Sequence, residues 1–315
     1  MSLLRSILST PGPTVGIEIA SDAVTAVSLA RNGSNVIVNS HATEPLPFGA
    51  VVPAVNEVNI KDPAAVAGAL RRALDQFGRR PRRAALVVPD AVAKVSIVKF
   101  EEVPTRSHDL DELVRWQVRK TAPFRIEDAQ VVYSRGLTDD TGATDFVVAL
   151  TRRSIIEEYE QVCAEVGVHA GVVDLSSFNI VNTVISGDRV DGDWLLVHVA
   201  PESSTITIMR GDQLILFRNR PAEAGAQLAD LVYQTSMYYE DRLLGTGFAL
   251  VFLVGASGGV GEAIRKGLEG RLGGSVESVD PRRVASLADR IDASPDLLDR
   301  LTAPLGVLVR EHPAT

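Results

Sequence analysis

The feature that most constrains the fold is an internal repeat of strands and turns at a spacing of 180 residues. In the first half of the chain, "VGIEIASDAVTAVSLA" is typical of a strand, a short turn and a second strand. In the second half, "WLLVHVAPESSTITIMR" has the same pattern. A shift of 180 residues places Glu18 on His198 and Thr25 on Thr205. Because repetition constrains an architecture more firmly than any single element does, we expect two related halves.

Helical patterns follow both strand units, so strands and helices alternate along the chain. Asp62 and Pro63 form an N-cap and a first-turn proline, which together predict the start of a helix. Apolar residues at helical spacing predict one long helix from about Gly225 to Leu244. The chain therefore belongs to the α/β class. We expect a first half over 1–185 with a small insert at about 86–150, and a second half over 186–315.

Charge and composition exclude several classes of protein. Lys and Arg number 32 against 40 Asp and Glu, a net charge of -8 that argues against nucleic acid as the partner. The single cysteine, Cys163, leaves no disulfide framework and no thiolate cluster for a metal, which favours the cytoplasm. The five histidines show no metal-ligand spacing. No apolar run reaches the roughly 18 residues that a membrane helix needs.

Six stretches, spread in order over nearly the whole chain, resemble the PilM family of type IV pilus assembly proteins. They are "VGIEIASDAVTAVSL", "ELVRWQVRKTAPFRIEDAQVVYS", "AEVGVHAGVVDLSSFNIVN", "LILFRNRPAEAG", "LVGASGGVGEAIRKGLEGRLGGSVESVDP" and "APLGVLVR". The second is the most specific, because it resembles the inserted subdomain that PilM shares with the cell-division protein FtsA. The resemblance implies a duplicated actin-like ATPase (ribonuclease H-like) fold with such an insert.

The resemblance also implies where a nucleotide would bind. In actin-like ATPases two hairpin turns hold the phosphates, each with an acidic residue and with glycines that let backbone N–H groups approach. Here Glu18 stands at the first aspartate position and His198 at the second, and Pro201 removes a backbone donor from the second turn. The same turns are also consistent with ordinary solvated hairpins. The residues of this vestigial cleft are Glu18, Ala20, Ser21, His198, Ser203, Gly255 and Gly258.

A deletion points away from catalysis. Family members have a small subdomain between the second phosphate turn and the long helix, and its wall helps to cover the adenine. In this chain "RNRPAEAG" runs directly into "AQLADLVYQTSMYYEDRL". We therefore expect a pseudo-ATPase with no catalytic residues and no cofactor, although the resemblance leaves ATP and Mg²⁺ open. The alternatives are an active ATP-hydrolysing or sugar-kinase-like member of the fold, or a cytoplasmic component of a type II secretion platform.

The partner expected from the resemblance is a PilN-like protein of the inner membrane. In the PilM family its N-terminal cytoplasmic peptide docks in a groove between the inserted subdomain and the main body, and other pilus platform or motor proteins are further candidates. This places the chain in the cytoplasm, at the inner face of the inner membrane. Trp116 and Phe124 are the predicted peptide-binding residues, and the alternative for Trp116 is packing against the main body. The basic run from Arg71 to Arg83 either faces anionic lipid headgroups or an acidic partner, or is the solvated end of a helix and its loop.

Overall fold

The computed structural model describes residues 12–32, 35–78, 80–188, 190–256, 258–289 and 291–311. The strands are β1 (Val15–Ile19), β2 (Ala23–Asn32), β3 (Asn35–Pro45), β4 (Arg83–Val88), β5 (Ala93–Phe100), β6 (Ala129–Thr138), β7 (Thr144–Arg152), β8 (His169–Leu175), β9 (Asp193–Val199), β10 (Ser203–Arg210), β11 (Gln213–Pro221), β12 (Leu250–Val254), β13 (Val276–Glu277) and β14 (Ser286–Leu287). The helices are α1 (Pro63–Asp75), α2 (Ser107–Arg119), α3 (Arg153–Glu165), α4 (Ser176–Gly187), α5 (Gly225–Leu243), α6 (Gly258–Leu272) and α7 (Pro295–Glu311).

Five strands have the same order in both main sheets, which confirms the predicted repeat, and the first sheet has β14 as an additional edge strand. The first runs β14-β3-β2-β1-β4-β8 and the second β11-β10-β9-β12-β13, each with an antiparallel meander followed by parallel strands. Both meanders carry an irregularity in register, between Ser28 and Leu29 and between Ile208 and Met209. The two irregularities lie 180 residues apart, so the duplication extends to the detail of strand pairing.

The two predicted turns also have matching backbone hydrogen bonds. The N–H of Ala20 donates to the carbonyl of Ala23 at 3.0 Å, and the N–H of Ala200 donates to that of Ser203 at 2.8 Å. Each turn follows the central strand of its sheet, and β1 is parallel to β4 as β9 is to β12. The turns therefore lie at the carboxyl edge of each sheet, where ligands of open α/β sheets usually bind.

The first sheet is covered on both faces, which explains why its central strands are apolar throughout. Helix α1 packs with β1 in one buried cluster, and α7 contacts β1, β2 and β4. Helix α7 also lies against α4, where a Cβ on Gly306 would come within 1.8 Å of the Asn179 carbonyl oxygen. A glycine at that position lets the two helices approach closely.

The insert is a separate three-stranded sheet in the order β5-β7-β6. It runs from Ala93 to Arg152, whereas the sequence suggested about 86–150. Strand β4 does not belong to it, because β4 pairs in parallel with β1 and β8 in the first main sheet. Helix α2 covers one face of the inserted sheet through Val114 and Val118.

The last segment of the chain returns to the first sheet. Strand β14 pairs with β3, and α7 packs on the strands of the first half. The division of the chain into 1–185 and 186–315 stays a prediction, but the contacts of this segment do not follow it. The physical reason is that α7 covers an apolar face of the first sheet that would otherwise meet water.

The predicted deletion is present in the structure. Strand β11 ends at Pro221 and α5 begins at Gly225, so only residues 222–224 separate them. No subdomain lies between these two described elements. Nor does any helix in the described part of the chain combine the length and the apolar character that crossing a bilayer requires.

Candidate functional site

The central cleft lies where the carboxyl edges of the two main sheets meet. We use this name for the space bounded by the turn at Ala20–Asp22, the turn at Ala200–Glu202 and Gly255, which follows β12. The two turns contact each other directly. The Ser21 hydroxyl donates a hydrogen bond to Glu202 Oε2 at 2.6 Å, across a sequence separation of 181 residues. The two halves are therefore linked at the place where a phosphate would have to enter.

A buried carboxylate, Asp90, organises the wall of this cleft. Asp90 is 3% exposed and lies in the 3-10 turn between β4 and β5. Its carboxylate accepts hydrogen bonds from the Ser177 backbone N–H at 2.9 Å, from the Thr205 hydroxyl at 2.7 Å and from the Ser177 hydroxyl. Burial alone would raise its pKa, but hydrogen bonds from His198 and Ser177 outweigh burial and lower the pKa of Asp90.

His198 fills the second aspartate position by pairing with Asp90. Its Nδ1 lies 3.3 Å from Asp90 Oδ2 and 3.0 Å from the Ser177 hydroxyl. Burial lowers the pKa of His198, but the hydrogen bond to Asp90 and the charge of Asp90 raise it above its ordinary value. Ser177 and Asp90 thus share one ring nitrogen, whereas a Ser-His-Asp relay uses both nitrogens. The cluster is suited to a structural ion pair and not to nucleophilic catalysis.

Glu18, at the first aspartate position, also has a hydrogen-bond partner within the chain. It accepts a hydrogen bond from the Ser176 hydroxyl at 2.7 Å. Burial raises the pKa of Glu18, and the Ser176 hydrogen bond only partly offsets that effect. A carboxyl group with a raised pKa is a weaker ligand for Mg²⁺ than an ionised one, because hard cations prefer anionic oxygen.

The third wall of the cleft is held by α7. The Gly255 backbone N–H donates to the Asp299 carboxylate, and burial raises the pKa of Asp299 to about 6. The neighbouring Arg300 pairs with Asp22 of the first turn at 3.1 Å. Gly255 has φ +81, and a Cβ there would lie 2.1 Å from the Val199 carbonyl oxygen. This glycine is therefore required by backbone packing, whatever binds beside it.

The structure brings six of the seven predicted cleft residues together. Glu18, Ser21, His198, Ser203 and Gly255 lie around the central cleft, where Ser203 accepts a hydrogen bond from Asn219 at 3.1 Å. Ala20 forms part of the first turn. Gly258 begins α6, and nothing lies within 4 Å of a Cβ placed on it. Whether any of these residues binds a nucleotide stays a prediction.

Sequence reasoning missed the residues that fill the cleft, namely Asp90, Ser176, Ser177 and Asp299. A signal for three of them was present. Asp90 follows the buried strand β4 after one proline, and Ser176 and Ser177 follow β8 directly. Polar residues directly after buried parallel strands lie at the ligand-binding edge of a sheet. No comparable pattern marks Asp299. Among the described residues, no group of three or more His, Cys, Asp or Glu side chains is arranged to hold a metal ion.

The second candidate site is the insert groove, a cavity of about 720 Å³ between the inserted sheet and the main body. One wall is the face of the inserted sheet opposite α2, with Val132, Val147 and Ala149. The other wall is formed by α3 and α4, with Ile156 and Phe178 among its apolar residues. Charged side chains from both halves also line it: Arg135, Arg153, Glu157, Glu160, Asp174, Asp212 and Arg310.

Neither Trp116 nor Phe124 lines the insert groove. Trp116 lies on α2, on the other side of the inserted sheet, and is 59% exposed. The alternative of Trp116 packing against the main body does not describe this exposed position. Their predicted role in peptide binding stays a prediction, and the groove-lining residues are a different set.

Comparisons with known proteins agree with this architecture. A family model described as "Type IV pilus assembly protein PilM" matches residues 16–241. A solved structure of a "PilM-PilN type IV pilus biogenesis complex" is similar with a TM-score of 0.81 and 17% sequence identity, over 96% of this chain and 99% of that chain. The expected fold, a duplicated actin-like ATPase α/β core with an inserted subdomain, is confirmed.

Two other solved structures share the fold more distantly. The cytoplasmic domain of EpsL, an inner-membrane component of the type II secretion system of Vibrio cholerae, has a TM-score of 0.50 and 10% identity, over 96% of this chain and 94% of that one. A Bacteroides thetaiotaomicron protein with an actin-like ATPase fold has a TM-score of 0.48 and 11% identity, over 84% of this chain and 89% of that one.

Proposed function

Because the chain belongs to the PilM family of type IV pilus assembly proteins, we propose that it is a scaffold of the pilus assembly platform. It acts in the cytoplasm at the inner face of the inner membrane. There it binds the N-terminal cytoplasmic peptide of a PilN-like membrane protein, and it does not hydrolyse ATP. The single observation that carries this proposal is the contrast between an open insert groove and a central cleft whose polar groups are already paired.

The insert groove has the size and chemistry of a peptide site. Its volume of about 720 Å³ falls within the range of roughly 300–1,000 Å³ that is usual for ligand sites. Apolar side chains such as Val132, Ala149 and Phe178 provide surface for two or three apolar residues of a peptide. The similar solved structure is a complex of PilM with PilN, which supports a PilN-like partner for this chain.

The charges of the groove favour a peptide over a polyanion. Arginines and carboxylates alternate around it, and Arg310 pairs with Asp174 within its wall. A nucleotide would need an excess of positive charge or several free backbone donors. A peptide supplies both hydrogen-bond donors and acceptors through its backbone and side chains. A wall that contains both arginines and carboxylates can therefore bind it.

The central cleft supports the absence of ATP hydrolysis. Ser21 is bonded to Glu202, and the Gly255 N–H is bonded to Asp299, so two groups that would meet a nucleotide already have partners. The carboxyl groups of Glu18, Asp90, Glu202 and Asp299 surround the space. Each of them already has a partner within the chain, and the missing subdomain leaves the adenine without one wall.

The test is a fluorescence anisotropy titration of the purified chain with a labelled N-terminal peptide of the PilN-like protein from the same organism. We expect saturable binding in the micromolar range, about -8 kcal/mol, because ordering an extended peptide offsets much of the contact energy. Absence of saturation near a millimolar would remove the scaffold proposal's main support. A scrambled peptide of the same composition is the control for non-specific apolar binding.

A calorimetric titration with ATP and Mg²⁺ addresses the alternative of an active ATPase. We expect no heat of binding at protein concentrations that would detect a dissociation constant of about 100 µM. Micromolar affinity for ATP, or turnover above a buffer control, would show that the cleft opens and would favour the enzyme.

A further inference from the structure

A second surface of the insert combines exposed aromatic character with positive charge. It lies at the C-terminal end of α2 and in the turn that follows, and we call it the α2 basic surface. Its members are Lys94, Arg115, Trp116, Arg119, Lys120 and Arg125. Apart from Lys94, which is half-buried, all of these side chains are exposed. The surface is distinct from the insert groove, because none of its residues lines that cavity.

The tryptophan is held in an arrangement typical of interfaces. Trp116 is 59% exposed, and the Lys120 ammonium lies 5.3 Å from the centre of its ring. The Lys94 ammonium donates to the Thr121 carbonyl at 2.6 Å, which brings a further cation to the same helix end. A large aromatic ring surrounded by cations has an apolar body and a charged rim. Side chains of this kind concentrate at the boundary between water and lipid.

The α2 basic surface is positive although the chain as a whole carries -8. Glu127 approaches Arg119 at 4.0 Å and Arg125 at 3.7 Å, so one acidic group faces two of the five cations. Asp111 and Glu112 both lie one turn before Arg115 on the same helix, and the Asp111 carboxylate accepts a hydrogen bond from the Tyr133 hydroxyl. The surface therefore keeps an excess of positive charge in a molecule that is otherwise acidic.

Trp116 faces away from the body of the protein for a helical reason. Val114 and Val118 pack on the inserted sheet. Trp116 is two residues from each, or about 200° around the helix at roughly 100° per residue. The inserted sheet thus separates two surfaces: the insert groove lies against one face, and the α2 basic surface projects from the helix on the other.

We propose that the α2 basic surface docks on the anionic lipid headgroups of a bilayer, with Trp116 entering the interface. Each Lys or Arg near such a surface contributes roughly 1 kcal/mol, so five cations can offset the repulsion of an acidic chain over a short range. An exposed tryptophan adds apolar contact that a purely electrostatic partner would not require.

The proposal rests on the proposed function only for the presence of a membrane. It also gives the orientation of the protein on the membrane. The insert groove is then separated from the lipid by one layer, which consists of α2 and the inserted sheet. A peptide tethered to the same membrane would have to pass that layer, roughly 20 Å at about 10 Å for each packed element. Six extended residues at about 3.3 Å each cover this distance.

The other basic candidate in the sequence, the run from Arg71 to Arg83, is less suited to lipid. Arg72 pairs with Glu44 and Arg80 pairs with Asp75, so two of its cations are already neutralised within the chain. Arg79 lies outside the described residues. No exposed aromatic side chain lies within the described part of this run.

The chain carries its own probe for the test. It has two tryptophans, and Trp194 is 1% exposed while Trp116 is exposed. The purified full chain is mixed with vesicles of phosphatidylcholine alone or with 40% phosphatidylglycerol, and tryptophan emission is recorded. We expect a blue shift only with the anionic vesicles. We also expect quenching by lipids brominated near the headgroup, and loss of both signals in Trp116→Phe, where Trp194 remains.

Charge reversal separates specific docking from general attraction. The variant Arg115→Glu/Arg119→Glu/Lys120→Glu is compared with Arg71→Glu/Arg82→Glu/Arg242→Glu, which makes the same change in net charge elsewhere. We expect at least tenfold weaker vesicle partitioning for the first variant and less than twofold for the second, since the field acts only within about 10 Å. Equal losses in both variants, or no partitioning of the native chain at low salt, would overturn the proposal.

The failure of this proposal is distinguishable from failure of the proposed function. The charge-reversed variant should bind the PilN-like peptide as the native chain does, because the groove lies on the other side of the inserted sheet. Binding of peptide without binding of vesicles would leave the scaffold in place and remove the lipid surface. Vesicle binding by the native chain that brominated lipid does not quench would show that Trp116 stays out of the interface, and would overturn its proposed role.

Discussion

The central cleft and the insert groove differ in what their walls do when nothing is bound. In the cleft, side chains from opposite walls reach each other, as Ser21 and Glu202 do at 2.6 Å. In the groove, apolar side chains such as Val132 face open space, and Val132 is 58% exposed. The walls of the cleft are thus bonded to each other. A site between an uncovered sheet face and two helices stays available.

The chemistry of the cleft explains why it stays closed. Asp90 is a buried carboxylate, and leaving it unpaired would cost free energy of folding. The folded state therefore requires its hydrogen bonds to Ser177 and Thr205 and its pairing with His198. These partners come from α4, β9 and β10. A ligand that pushed the two sheets apart would break this cluster. Among the described residues that line the groove, no buried polar cluster of this kind joins the two walls.

The largest expected effect comes from Asp90→Ala. The change leaves His198, Ser177 and Thr205 without their common acceptor in a buried position, so the free energy of unfolding should fall by about 3 kcal/mol. Urea denaturation monitored by circular dichroism measures it. The control is Asp75→Ala, which removes an exposed carboxylate and should change stability by no more than about 0.5 kcal/mol. Equal stability of both variants would mean that the cluster does not close the cleft.

The second largest expected effect is the change in the free energy of unfolding when Asp299 is replaced. Burial raises the pKa of Asp299 from 3.8 to about 6. A carboxyl group with a higher pKa in the folded state binds its proton more tightly there. Its contribution to stability is therefore fully present below pH 3.8 and is lost as the pH rises through 6. Asp299→Asn keeps an oxygen for the Gly255 N–H but cannot ionise. We expect the variant to be more stable by about 2 kcal/mol at pH 7.5, allowing for partial exposure.

The pH profile is the decisive readout for Asp299. Urea midpoints of the native chain and of Asp299→Asn, measured from pH 4 to 8, should converge near pH 4, separate between pH 4 and 6, and keep a constant difference above pH 6. Parallel profiles at a constant offset would show that the carboxylate is not desolvated. That outcome would leave α7 as a packing element without an electrostatic role in the cleft.

A substitution in the insert groove should change the affinity for peptide and leave the free energy of unfolding nearly unchanged. Val132→Glu places a carboxylate where a peptide would bury an apolar side chain, and Glu157 and Glu160 already line the same cavity. Affinity for the PilN-like peptide should fall about tenfold, or about 1.4 kcal/mol, with little change in unfolding. Val58→Glu is the matched control, because Val58 is 57% exposed and lies outside the groove. Similar losses in the two variants would place the peptide elsewhere.

The sequence predicted the repeated framework well because strand patterns and turns are local. The 180-residue shift from Glu18 to His198 is reproduced by the strand registers, and the short link between β11 and α5 is visible as missing sequence. Ser21 was recognised as a turn residue. Its bond to Glu202 was not, because a pair 181 residues apart leaves no periodic trace.

The return of α7 to the first sheet was not predicted for a related reason. Its apolar face shows that the helix is covered, but not by which sheet. Its contacts with β1, β2 and β4 and the close approach at Gly306 assign it to the first half. The sequence alone therefore gives no reason to place Asp299 against Gly255, where the fold puts it.

The smallest expected effect tests whether the contact between the two turns is itself a lock. Ser21→Ala removes the hydroxyl that donates to Glu202 at 2.6 Å, in a partly exposed position, so the free energy of unfolding should fall by only about 0.5–1 kcal/mol. Ser204→Ala is the matched control two residues beyond Glu202. The Ser204 hydroxyl is buried, and it finds no hydrogen-bond partner within the described part of the chain. Removing it should be neutral or slightly stabilising, since no bond is lost and an unsatisfied polar group disappears.

Chemical denaturation of both variants, with amide hydrogen exchange over residues 198–205, separates the two outcomes. Faster exchange in Ser21→Ala alone would show that this bond holds the cleft shut. Unchanged exchange in both would leave the closure to Asp90 and α7, because their bonds remain in either variant.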